Sequence, residues 1–261
     1  MTQFFGVLRH EFNMAVRRPG MWIAFAVLYA FYFITVLSPS EVGDDLPQNV
    51  PQMWQQAGMV MFYANMFMVI LGGILAADRV QRDFRLGVRE LQQSSPLGQG
   101  AYILGKYFGV LAAVISPMLL FVIVQACVSV IRGVPVIYLA IMLVAFLAMG
   151  VPAFAFVVAF SLACPLFMPV RVYQVLFVGY WFWGNYLSPD VFPTISDTLL
   201  VPSGKYVLHG LLGGFPDSRT NFIDPFVTQT QAFLNLALLA GITILVLTLT
   251  ILHLRRQARQ A

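Results

Sequence analysis

Only one segment of this 261-residue sequence has the spacing of a phosphate-binding loop, and it lacks an essential residue. Gly100, Gly105 and Lys106 fit the pattern G-x-x-x-x-G-K. In a true loop of this kind the lysine is followed by a serine or threonine whose hydroxyl coordinates magnesium, but Tyr107 follows here. We therefore predict that the segment binds no nucleotide. Lys106 is interpreted as the start of a membrane span, with its ammonium group reaching toward the lipid headgroups.

The residue types that bind metals or act as nucleophiles are scattered along the chain. His10, His209 and His253 lie in separate segments, and Cys127 and Cys164 both fall inside apolar runs. Neither set has the spacing of a metal site or of a disulfide framework. We predict that the chain is not an enzyme and holds no cofactor of its own.

The composition is that of a membrane protein. Apolar residues make up 59% of the chain and charged residues 10%, whereas a soluble domain has about 25% charged residues. The net charge of +4 comes from short basic segments beside apolar runs, a pattern of membrane topology. We predict an all-α integral membrane protein that contacts lipid and does not bind nucleic acid.

Six apolar runs are candidates for membrane-spanning helices, which need about 20 residues each. They lie near 21–37, 58–77, 107–131, 136–163, 172–187 and 231–254. The fourth is ambiguous, because the stretch between Arg132 and Arg171 contains no charge and could hold two short spans. It also contains no polar turn, so we predict one long helix, kinked at Pro152.

The distribution of lysine and arginine favours six spans. With six, 12 of the 15 basic residues lie on the side of the two termini, as the positive-inside rule expects. A seventh span would move Arg255, Arg256 and Arg259 to the opposite side. We therefore predict that both termini are cytoplasmic.

Two segments outside the spans have a clear character. Residues 1–20 place most of their apolar side chains on one arc and their polar side chains on the other, which predicts an amphipathic helix lying in the membrane interface. Residues 188–230 are rich in proline but include apolar stretches, which predicts an outer loop with short broken helices.

The largest cytoplasmic loop is predicted at 78–106. Phe84, Val88 and Leu91 follow the i, i+4, i+7 pattern of one helix face, and Pro96 predicts that this helix ends near Ser94. The opposite face carries Arg82, Arg85 and Arg89. Such a helix suits docking to a partner protein, although a basic face resting on anionic headgroups is an open alternative.

The predicted spans contain no Asp, Glu, Lys or Arg away from their edges, which argues that energy for any transport comes from another chain. Gly105 and Gly109 form a G-x-x-x-G pair that permits close helix contact. The polar and aromatic residues that are candidates for a substrate path are Asn65, Tyr180, Trp181, Trp183 and Asn185. An aromatic belt at the membrane interface is the alternative for the rings.

The loop motif resembles that of type 2 ABC transporter permeases. In that family an acidic residue, a glycine, a proline and a Gly-Lys pair follow one another at fixed spacing. Here they fall on Asp83, Gly87, Pro96, Gly105 and Lys106 without a gap. Glu90 matches a further acidic position, whereas Val88 replaces the usual threonine. The His10-Glu11 pair in the N-terminal helix and the six-span layout are also similar to the family.

The resemblance implies the permease subunit of an ATP-driven exporter in the bacterial cytoplasmic membrane. The loop would be a coupling helix that docks on a separate ATPase subunit holding ATP and magnesium, and a second permease subunit would complete the path. The implied coupling residues are Asp83, Phe84, Gly87, Val88, Glu90, Leu91 and Pro96. The alternative function is a non-transporting membrane anchor or assembly component of a larger complex.

Overall fold

The computed structural model describes residues 2–36, 46–85, 87, 98–189, 191–214 and 227–260, and their regular structure is helical throughout. The α-helices are α1 (Thr2–Val16), α2 (Pro19–Phe31), α3 (Val50–Arg85), α4 (Gln99–Ile131), α5 (Ile137–Ala145), α6 (Val151–Ala163), α7 (Val170–Asn185), α8 (Lys205–Leu211) and α9 (Gln229–Gln260). A π-helical segment, Tyr32–Val36, continues α2, and a 3₁₀ turn, Cys164–Leu166, follows α6.

Four helical runs are long and apolar enough to cross a membrane. They are Val50–Asp83, Gln99–Ile131, Ile137–Leu166 and Gln229–Gln257, and Pro19–Ile34 is a shorter apolar helix. The chain is therefore an all-helical membrane protein, as the composition predicts. The count of six spans stays a prediction, because α2 and the 16-residue α7 are short for a complete crossing.

The uncharged stretch before Arg171 forms one helical run, which confirms the prediction of a single helix. A π-helical segment, Phe146–Gly150, joins α5 to α6 just before Pro152. Proline cannot donate a backbone hydrogen bond, and a π-bulge accommodates that loss without breaking the helix. The side-chain amide of Asn65 on α3 donates to the Met149 carbonyl at 3.4 Å, so a neighbouring helix also supports this segment.

The loop predicted at 78–106 is shorter in the structure, because helices extend into it from both sides. No glycine or proline interrupts α3 before Arg85, and α4 begins at Gln99 after the extended Gly98. Gly87 has φ +68°, the left-handed conformation that commonly ends a helix. Phe84 belongs to α3, whereas Val88 and Leu91 lie outside the described residues, so the shared helix face of these three side chains stays a prediction.

Helix α3 lies at the centre of the bundle and contacts α2 and each helix from α4 to α8. Two glycines let aromatic rings approach its backbone. A methyl group at Gly72 would lie 2.4 Å from the Phe154 ring, and one at Gly73 would lie 2.5 Å from the Phe177 ring. By contrast, α9 exposes a row of large apolar side chains that suits contact with lipid. We call the end of the bundle that carries α1 the α1 end, and the opposite end the α8 end.

Candidate functional site

A buried ion cluster joins three helices at the α1 end. Lys106, two turns into α4, is completely buried. Its ammonium nitrogen lies 2.5 Å from Oε1 of Glu11 on α1 and 2.9 Å from Oδ2 of Asp83 on α3. It also donates to the backbone carbonyl of Arg79 at 3.3 Å. The expected reach of Lys106 toward the headgroups is wrong, because two carboxylates hold its charge inside the protein.

Tyr102 completes this group, which we call the Lys106 cluster: Glu11, Asp83, Tyr102 and Lys106. The Tyr102 hydroxyl donates to Oδ2 of Asp83 at 2.6 Å, and the Lys106 ammonium lies 5.5 Å from the centre of the Tyr102 ring. Asp83 precedes the loop between α3 and α4, and Lys106 follows it. The two charged ends of the loop motif are therefore in direct contact.

Helix α1 rests against α4 at the two glycines of the G-x-x-x-G pair. A methyl group at Gly109 would lie 2.6 Å from the carbonyl oxygen of Leu8, and one at Gly105 would lie 2.9 Å from Cβ of Val7. The predicted close contact at this pair is thus confirmed, with α1 as the partner. Much of the apolar side of α1 is covered by α4, while Phe5 remains 60% exposed.

The end of α3 is also tied to the turn between α6 and α7. The Gln81 side-chain amide donates to the backbone carbonyl of Pro165 and, at 3.0 Å, to that of Met168. Gln174 of α7 donates in turn to the Ile74 carbonyl at 3.1 Å. A displacement of the α3 end would therefore act on α4, α1 and the α6–α7 turn together.

The structure describes only part of the predicted coupling set. Asp83 lies in the Lys106 cluster and Gly87 forms the left-handed turn after α3. Phe84 belongs to the last turn of α3. The other four members, Val88, Glu90, Leu91 and Pro96, lie outside the described residues.

At the α8 end, a neutral amide holds an inserted segment. Asn65 is fully buried in α3, and its amide nitrogen lies 3.1 Å from the Ser203 carbonyl in addition to contacting Met149. Asn235 of α9 donates to the carbonyls of Leu199 and Val201 at 2.8 and 3.0 Å. The carbonyls of Leu199, Val201 and Ser203 lie outside the helices and accept from these two amides, so the segment before α8 packs among the helices rather than over them.

The segment predicted as an outer loop, residues 188–230, contains α8 and the turns before it; its position on the outer side stays a prediction. Gly204, with φ +89°, precedes α8 and packs on Met149, where a methyl group would lie 2.9 Å from Cε. Lys205 follows and is 1% exposed. Burial lowers the pKa of the Lys205 amine to about 8, against the opposing effect of the nearby Asp197.

The five candidates for a substrate path do not share one surface. Trp181 is buried and donates from its indole nitrogen to the Met66 carbonyl at 3.1 Å, and Asn185 is buried and donates to the Trp181 carbonyl at 2.9 Å. Asn65 supports the inserted segment. Trp183 is 37% exposed and donates to the Pro193 carbonyl at 3.0 Å.

Tyr180, the remaining candidate, lines an apolar cavity of about 320 Å³ beside α6 and α7. Phe177 and Tyr173, one and two turns earlier on the same face of α7, line it as well. The Tyr173 hydroxyl lies 2.9 Å from the Ser161 hydroxyl, so its polar atom is satisfied within the protein. The cavity therefore presents mainly apolar and aromatic surface.

Helical membrane architecture and a charged loop motif whose ends meet define a polytopic membrane protein. Residues 6–180 match the sequence model of the family described as ABC-2 family transporter protein. The match covers more than half of the chain, and the chain belongs to this family. No curated protein and no solved structure matches it significantly.

Sequence reasoning missed the structural roles of Glu11, Gln81 and Asn235. Glu11 belongs to the His10-Glu11 pair that resembles the family, but the sequence does not show its partner, because Lys106 is 95 residues away. Asn235 is a polar residue near the start of an apolar run. Because a buried amide in a span needs hydrogen-bond partners, its position could have predicted a structural role. Gln81 had no such signal in a loop rich in polar residues.

Proposed function

We propose that this chain is the membrane-spanning permease subunit of an ATP-binding cassette exporter, coupled to separate ATPase subunits and completed by a second permease subunit. The observation that carries the proposal is the direct contact of Asp83 with Lys106 at the base of the loop motif, in a chain of this transporter family. The predicted spans contain no Asp, Glu, Lys or Arg away from their edges, which supports ATP hydrolysis by a partner as the source of energy.

The α1 end is cytoplasmic in this proposal, and so are both termini. The support is the 12-to-3 division of basic residues. Reporter fusions at Gln3 and after Ala261 should be active only as cytoplasmic reporters, and a cysteine at Leu200 should react with an impermeant reagent added outside. An external report from the C-terminus would exclude the six-span topology.

The ATPase docks on the loop between α3 and α4, with Leu91 in the interface. In Leu91→Asp a charge would be buried against the partner without a counter-ion, which costs several kcal/mol. We expect at least a tenfold loss of the ATPase that co-purifies with the tagged chain, while the amount of inserted permease is unchanged. The matched control is Gln92→Asp, which adds the same charge one position away, outside the apolar pattern of Phe84, Val88 and Leu91.

Full co-purification with Leu91→Asp would show that Leu91 is not in the dock. If no ATP-hydrolysing subunit co-purifies with the unaltered chain, the permease assignment fails and the membrane anchor becomes the better interpretation. A purified complex whose ATPase activity no substrate stimulates in liposomes would favour the anchor as well.

The substrate path passes along α7 in this proposal. Tyr180 has open space beside it and Trp183 is partly exposed, whereas the Trp181 indole is buried and bonded to backbone. Tyr180→Ala and Trp183→Ala should reduce substrate-stimulated ATPase activity while basal activity survives. Equal, mild effects of both changes and of Val175→Ala, at a highly exposed position of α7, would favour an aromatic belt.

A further inference from the structure

The base of the loop between α3 and α4 is linked to a third element, helix α1. A single ammonium group makes the link, because Lys106 contacts Glu11 of α1 and Asp83 of α3 at 2.5 and 2.9 Å. Glu11 is 4% exposed, so the contact is a buried ion pair rather than a surface one. The residues between Asp83 and Lys106 include the whole predicted ATPase dock.

Docking of α1 does not require this ion pair. The glycine seat at Gly105 and Gly109 already brings the backbone of α1 close to α4. Apolar side chains in place of a whole buried ion cluster would pack without removing charges from water, and such replacements are often neutral or stabilising. The ion pair therefore adds a connection that packing against α4 does not provide. Through Lys106 it fixes the position of α1 relative to Asp83, and hence relative to α3.

The charges around Lys106 also allow the link to α1 to be broken while the contact between Lys106 and Asp83 remains. Lys106 has two carboxylate partners, and Tyr102 binds the second of them, Asp83. If Glu11 loses its charge, Lys106 still has Asp83 as a counter-ion. The buried Arg79 of α3, which also interacts electrostatically with Glu11, keeps its interactions with Asp78 and Asp83. A change at Glu11 thus separates α1 from the loop base without dismantling the loop base itself.

We propose that Glu11 is a positioning residue for energy coupling: through Lys106 it fixes α1 to the base of the loop, so that α1 moves with the ends of α3 and α4 when the partner ATPase binds nucleotide. The inference rests on the proposed permease function. It makes the N-terminal helix a moving part of the coupling apparatus and not only an interfacial anchor.

The test is hydrogen–deuterium exchange on the permease together with its co-purifying ATPase in lipid nanodiscs, with and without ATP and vanadate. Three backbone segments are followed: 9–16 of α1, 78–83 of α3 and 99–106 of α4. In the unaltered protein, nucleotide should change exchange in all three segments. In Glu11→Gln the change at α3 and α4 should remain, and the change at α1 should be lost. Glu11→Asp, which keeps the charge, should restore it.

Asn13→Ala, on the exposed side of α1, is the control and should behave like the unaltered protein. A nucleotide response at α3 and α4 with no response at α1 in the unaltered protein overturns the inference, whatever the variants do. An unaltered response at α1 in Glu11→Gln overturns it as well. Absence of any co-purifying ATPase is a different result, because it rejects the proposed function itself.

Discussion

The two ends of this bundle bury polar groups in different ways. At the α1 end, Lys106 forms ion pairs with Glu11 and Asp83, and each partner lies on a different helix. At the α8 end, Asn65 and Asn235 donate from neutral amides to backbone carbonyls of one inserted segment. Charge is thus used where separate helices meet, and amides are used where irregular backbone enters the bundle.

The difference follows from what each end must satisfy. Irregular backbone brings carbonyl oxygens into an apolar setting, and one amide NH₂ group can bind two of them at little desolvation cost. Three regular helices have no such need, because their backbone groups are already paired. An ion cluster between helices costs desolvation free energy, so we infer that it is retained where a fixed geometry matters. The Lys106 cluster lies at the base of the loop motif.

The largest effect is expected from removing the cation of the Lys106 cluster. Lys106→Met would leave the buried Glu11 and the partly buried Asp83 without this counter-ion, at a cost of about 3–5 kcal/mol. The thermal midpoint in detergent should fall strongly, and the yield of folded protein with it. Arg171→Met removes an exposed cation at the start of α7 and should change little. Equal midpoints for the two variants would mean that the cluster does not stabilise the α1 end.

The next effect concerns the seat of α1. Gly109→Ala places a methyl group 2.6 Å from the Leu8 carbonyl oxygen, so α1 must shift, at about 1–3 kcal/mol. Gly6→Ala has no atom of the described structure within 4 Å of the added methyl group, and it should be stabilising, since alanine favours a helix by roughly 0.5–1 kcal/mol over glycine. Gly109→Ala should lower the thermal midpoint and make α1 more accessible to protease. Gly6→Ala should raise the midpoint and should not increase that accessibility.

At the α8 end, the expected loss is comparable or smaller and stays local. Asn65→Leu would leave the carbonyls of Met149 and Ser203 without this donor, at about 1–3 kcal/mol. Cysteine labelling at Ser203 should become faster, while labelling near α1 stays the same. Gln229→Leu, at an exposed position of α9, is the control. A faster reaction at both ends would contradict the separation of the two regions.

The smallest expected effect is a dependence of stability on pH at Lys205. Its folded pKa of about 8 lies below the ordinary 10.5, so between these values the folded protein binds fewer protons than the unfolded one. Stability should therefore rise with pH through that window. Lys205→Met should lose this rise when thermal midpoints are compared at pH 7.5 and 9.5, and Lys205→Arg should lose it too, since arginine stays charged. Equal slopes in all three proteins would contradict the burial of a titrating amine here.

Much of the helical layout was predictable from the sequence, whereas the contacts between residues distant in the sequence were not. Apolar runs and the absence of a polar turn near Pro152 predicted one long helix, because both are local properties. The left-handed conformation of Gly87 could not be predicted, since the periodicity of apolar residues carries no information on φ. Lys106 was interpreted from its position at the edge of a span, but its environment depends on Glu11, far away in the sequence.

The most direct test of the central claim compares the two ends by photo-crosslinking in native membranes. A benzophenone amino acid at Val88, in the predicted ATPase dock, should capture an ATP-binding subunit. The same group at Leu200, which is exposed at the α8 end, should capture none. Capture of an ATP-binding protein at position 200, or none at position 88 in correctly inserted protein, would contradict the assignment of the α1 end as the coupling side of an exporter.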